Sequence, residues 1–110
     1  MSDITSARKA LVTRILDGDG MASHAQRRAT FDNAGLPEPL STLIDKVARR
    51  ASTVTEEDIA AAKASGLSED QIFELVVCAA IGQATRQCDT AFAALDAATE
   101  RKGHAPRNPR

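Results

Sequence analysis

Ala64-Ser65-Gly66-Leu67-Ser68-Glu69-Asp70-Gln71-Ile72-Phe73-Glu74-Leu75-Val76-Val77-Cys78-Ala79-Ala80-Ile81 is the stretch whose reading decides the fold. Gly66 closes one helix, and Ser68 with Gln71 opens the next. In such an S-x-x-Q box the hydroxyl and the Gln side chain each satisfy an orphan backbone N–H. From Ile72 to Ile81 only Glu74 interrupts an apolar run. The run lacks strand-like alternation, and a helix apolar all round is expected to be buried on more than one side. Gly82, Ala84, Ala91, Ala93, Ala94, Ala97 and Ala98 continue it with small residues, which let helix backbones approach closely. The pattern predicts one long Ala-rich helix over 69–101.

Upstream, four shorter helices are predicted. Ile4, Ala7, Leu11 and Ile15 recur at helical spacing over 3–17, with Asp3 as the cap. Asp17-Gly18-Asp19-Gly20 ends that helix, its glycines suiting a left-handed stop. Ser23 and Gln26 form a second capping box, and that helix stops at Asn33-Ala34-Gly35. Pro39 suits the first turn of a third helix, whose stripe is Leu40, Leu43, Ile44 and Val47. Thr55 and Asp58 open a fourth, which Gly66 closes. No strand pattern or internal repeat is present, so the fold class is all-α: a bundle of about five helices. Residues 1–102 form one helical domain, and 103–110 a flexible tail with two prolines.

Composition removes several classes of function. Fourteen basic and 15 acidic residues in 110 give a net charge of −1, which favours neither nucleic acid nor an anionic membrane. The chain has no Trp or Tyr, so a base-stacking platform is not expected. Nothing approaches the roughly 18 apolar residues of a membrane span. The start, Met1-Ser2-Asp3-Ile4, does not read as a secretory signal. Two cysteines without such a signal point to free thiols in the cytoplasm. A hydrophobic fraction of 43% supports a core. A chain this short buries only about two-thirds of its surface by itself, and self-association follows as an expectation.

The Gly-Leu-Ser turn supplies a further clue. Val54-Thr55-Glu56-Glu57-Asp58-Ile59, then Gly66-Leu67-Ser68-Glu69-Asp70-Gln71-Ile72 and the long Ala-rich helix, resemble the alkylhydroperoxidase D-like and carboxymuconolactone decarboxylase family. The resemblance covers residues 40–98. It implies a helical homo-oligomer, a trimer or hexamer. In that family a Cys-x-x-Cys-x-x-x-His motif opens the first of these helices. Counting back from Gly66 places its positions at Ala51, Val54 and Asp58. A thiolate nucleophile and a resolving thiol are both missing there. Asp58 instead stands three residues after the Thr55 cap, where an acid completes a helix start. The expected protein is therefore a non-redox member with a structural or small-ligand-binding role. The alternatives are a decarboxylase-like lactone enzyme or a peroxidase.

Those alternatives need other residues. Cys78 and Cys88 share the long helix about 15 Å apart, too far for the 7 Å or so that a disulfide spans. Cys78, among Val76, Val77, Ala79 and Ala80, reads as a small buried hydrophobe. Cys88, between Gln87 and Asp89, is the thiol to test first. Arg86 is a charge on an otherwise apolar helix beside Gln83 and Gln87, either snorkelling to solvent or facing a small acidic ligand. Arg49 and Arg50 are further anion partners. Glu38 and Asp45 stand where a relay carboxylate of the family would sit, or are a helix-start acid and a surface charge. His24 and His104 offer no ligand spacing, and neither metal nor cofactor is expected.

Overall fold

The computed structural model describes residues 2–104, with side chains over 4–100. Five α-helices follow one another: α1, Ser2–Asp17; α2, His24–Asp32; α3, Leu40–Arg49; α4, Glu56–Ala64; and α5, Glu69–His104. A short 3-10 turn, Ala51–Thr53, joins α3 to α4. The described residues contain no strand. The predicted long helix is present and continues three residues further, to His104. The rest of the predicted tail lies outside the described residues.

Local chemistry sets most boundaries. Ser68 and Gln71 form the reciprocal box, with Gln71 N–H donating to Ser68 Oγ at 3.1 Å and Ser68 N–H to Gln71 Oε1 at 2.9 Å. Thr55 and Asp58 do the same at the start of α4. At α2 Ser23 Oγ accepts from Gln26 N–H, whereas the Gln26 side chain makes no return bond. Asn33 ends α2 in the left-handed region, φ 51°. Gly18 and Gly20 depart from expectation, since neither has a positive φ. They are needed for space. A Cβ on Gly18 would stand 2.5 Å from the Arg14 carbonyl oxygen, and one on Gly20 would stand 2.7 Å from a Glu74 carboxylate oxygen.

α5 is the spine. Its Ile72, Leu75 and Ala79 are buried against Leu40, Leu43 and Ile44 of α3, with Ala62 of α4 and Ala22 completing the cluster. A second cluster joins Cys78 to Leu16 of α1 and Phe31 of α2. The helix pair packed most extensively is α2 with α5, followed by α3 with α5. α1 runs antiparallel to α5: Ile15 lies beside Cys78, and Arg8 reaches Asp89 at 2.7 Å.

One expectation fails within the single chain. The apolar start of α5 is not buried all round, because Phe73 is 69% exposed and Ala80 is exposed. The three-helix layer of α2, α3 and α4 covers one side of α5 only, and every residue from 91 to 100 is exposed.

Candidate functional site

The densest polar arrangement lies where the α1–α2 loop meets α5. Arg27, on the first turns of α2, is only 4% exposed. Its Nε donates to the Ala22 carbonyl at 3.1 Å, and Nη1 donates to the carbonyls of Ile15 at 3.1 Å and Gly18 at 2.7 Å. These are one carbonyl from the last turn of α1 and two loop carbonyls, which have no partner within a helix. A planar fork of donors suits such a fan of acceptors. Glu74 approaches the same loop from α5. Its two oxygens accept from the backbone N–H groups of Met21 at 2.7 Å and Ala22 at 2.9 Å. Arg27 and Glu74 thus clamp one loop from both sides, one on its carbonyls and one on its amides. Gly20 leaves the room for the carboxylate.

The clamp borders a recess of about 200 Å³ lined by Arg14, Ile15, Arg27, Phe73, Glu74 and Cys78, among others. Its chemistry is quiet. Burial holds the Cys78 thiol above its ordinary pKa, opposed in part by the Arg27 charge. A neutral thiol is a poor nucleophile. The N–H groups of Ala22 and then Met21 hold Glu74 below the usual carboxylate range against the desolvation of burial, with the Arg27 charge a smaller help. That makes it a committed acceptor and not a proton carrier at neutral pH.

A carboxylate with a lowered folded-state pKa stabilises the fold above its unfolded value and loses that contribution as pH falls through the folded value. Stability is therefore expected to decline below about pH 4.3, with Glu74 a leading cause. Glu74→Gln keeps one acceptor oxygen and cannot titrate. Its urea midpoint should lie below that of the wild type at neutral pH and fall less on acidification. A variant as acid-sensitive as the wild type would remove Glu74 from this role.

The other candidates are dispersed. Arg86 is partly buried, and it neither snorkels nor lines the recess: Nη1 donates to the Phe31 carbonyl at 2.6 Å and Nη2 to Gln83 Oε1 at 3.0 Å. Phe31 is in the last turn of α2, so this cation caps a helix C-terminus. Glu38 Oε1 accepts from Thr42 N–H at 3.1 Å and Thr42 Oγ1 at 2.6 Å, the part of a helix-start acid. Asp45 accepts from Asn33 at 3.1 Å and pairs with Arg49 at 3.1 Å. Arg50 and His24 are exposed, and the His104 side chain lies outside the described residues.

Cys88 is free and exposed, and Cys78 is free and buried. At the positions of the family motif, Ala51 sits in the 3-10 turn and Val54 packs on the core. Asp58 Oδ2 receives Lys46 Nζ at 2.8 Å and Thr55 N–H at 2.9 Å, which lower its pKa with Lys46 the larger cause. No group of His, Cys, Asp and Glu able to hold a metal occurs among the described residues.

Sequence reasoning passed over Arg27 and Glu74. Glu74 left a signal, as the sole interruption of an apolar run. Nothing local distinguishes Arg27 from its exposed neighbour Arg28. Comparison with known proteins supplies no relative: no family model, curated protein or solved structure matches the chain. No described helix is long and apolar enough to cross a membrane.

Proposed function

We propose that this chain is a non-redox helical scaffold of the alkylhydroperoxidase D-like type, a cytoplasmic homo-oligomer whose role is structural. The observation that carries this reading is apolar surface left bare on α1 and α5. Ile4 is 58% exposed, Leu11 45%, Phe92 40% and Leu95 60%. These four large apolar side chains on α1 and α5 are surface that a second copy could cover.

The non-redox part is supported by where the polar groups are spent. Asp58 is held by Lys46 and the Thr55 cap. The Cys78 thiol is buried and held protonated. Against a lactone-processing role, Arg86 is bonded to the Phe31 carbonyl at the end of α2.

Sedimentation velocity on the full chain at micromolar concentration tests the reading. The expected result is a species larger than the 11.7 kDa protomer. A monomer across that range would overturn it.

A further inference from the structure

The two apolar clusters divide α1 from the rest of the fold. The larger one joins Ala22, α3, α4 and the first half of α5, and no residue of α1 belongs to it or packs against it. α1 reaches the smaller cluster alone, through Leu16 with Val12 and Ile15 beside it. It is a helix of 16 residues, and Leu16 is its one buried side chain among those described. By contrast α2 buries three side chains from nine residues, and α3 three from ten. Further along, the Arg8–Asp89 pair ties α1 to α5, and a surface pair of this kind contributes little.

Two anchorages lie at the end of α1. Arg27 Nη1 holds the carbonyls of Ile15 and Gly18. Beyond them, Glu74 holds the amides of Met21 and Ala22 to α5, and Arg27 Nε holds the Ala22 carbonyl. Gly18-Asp19-Gly20 spans the gap between the two. Breaking the Nη1 bonds and lifting Leu16 lets α1 pivot there. Glu74 and Arg27 Nε keep residues 21–22 in place, and the larger cluster is undisturbed. An element that shares so little apolar surface with the core opens at a lower free energy than the whole molecule.

What α1 covers is a thiol. Cys78 is 1% exposed and packs with Leu16 and Phe31. Its Sγ–H donates weakly to the Ile15 carbonyl at 3.9 Å. Cys78 stands on α5, one turn after Glu74, and stays with the fold when α1 leaves.

We infer that α1 is a strap that opens as a unit about Gly18–Gly20, latched by Arg27, and that the Cys78 thiol is reachable only while the strap is open. The inference concerns a motion within one chain and goes beyond the self-association proposed above.

Thiol labelling tests it, in a Cys88→Ser background because Cys88 is exposed. In native buffer Cys78 should react with a maleimide far more slowly than an exposed cysteine, at a rate that rises only weakly with urea, since a partial opening uncovers little surface. With closing faster than labelling, the rate follows the open population. Ala10 on α1 and Ala60 on α4 are both exposed alanines inside a helix. Glycine at either position weakens its helix by the equivalent of about fivefold in an equilibrium. Ala10→Gly should therefore speed Cys78 labelling about fivefold, and Ala60→Gly should leave it unchanged, although urea unfolding shows both variants destabilised alike. All runs share one protein concentration. Equal acceleration by both variants would mean that the thiol is reached by global unfolding, and would overturn the inference. Acceleration by neither would mean entry with α1 in place, and no labelling of the native protein would mean that α1 does not open; each outcome overturns it as well.

Discussion

Replacing Arg27 with Met is expected to cost about 3 kcal/mol or more of folding stability. The guanidinium serves three backbone carbonyls, those of Ile15, Gly18 and Ala22, from a site only 4% exposed. Met fills a similar length and donates nothing. Each buried acceptor left without a donor costs about 1–3 kcal/mol, and the loop places all three beside one another. Glu74 would also lose the nearby cation that favours its charge. The loss corresponds to a fall in Tm of about 12 °C or more for a chain of this size. Arg27→Lys should recover only part of it, since one ammonium cannot reproduce a planar fork. Thermal and urea unfolding of the three proteins measure the series. A Met variant within 1 kcal/mol or so of the wild type would show that the clamp contributes little.

Gly82→Ala should destabilise the protein although alanine is the better helix former. Inside an exposed helix the exchange gains up to about 1 kcal/mol. At position 82 the new Cβ would overlap the Phe31 carbonyl oxygen, with the Phe31 carbonyl carbon only 2.7 Å away. Both obstacles are backbone and cannot swing aside. α2 must move off α5, and the 2.6 Å bond from Arg86 to the same carbonyl is stretched or lost. Overpacking of this kind costs about 1–3 kcal/mol, so a net loss of about 2 kcal/mol is expected. Ala93→Gly, at an exposed site on the same helix, serves as the opposite control and should lose about 1 kcal/mol. A Gly82→Ala variant more stable than the wild type would mean that the two helices are not in such close approach.

The two variants probe the features that were least legible in the sequence. Gly82 and Arg86 are one turn apart on α5 and act together on Phe31: the glycine lets α2 come near, and the arginine holds its end. Read along the chain, Gly82 is one small residue among many, and Arg86 resembles a charge in search of solvent or an anion. Only the position of α2 gives each its part. The same holds for Arg27, whose acceptors lie 5, 9 and 12 residues back. Hydrogen bonds across such distances have no periodic signature.

What the sequence determined by itself was local. The Thr55–Asp58 and Ser68–Gln71 boxes place two helix starts, because the groups involved are three residues apart and find one another in any context. The stripe Leu40, Leu43, Ile44 marks the buried side of α3, because helical spacing fixes which residues share a face. The tertiary structure alone decided which of the two apolar sides of α5 receives α2, α3 and α4. An apolar run has no preferred side until other helices take one, and here they leave Phe73 and every residue from 91 to 100 uncovered.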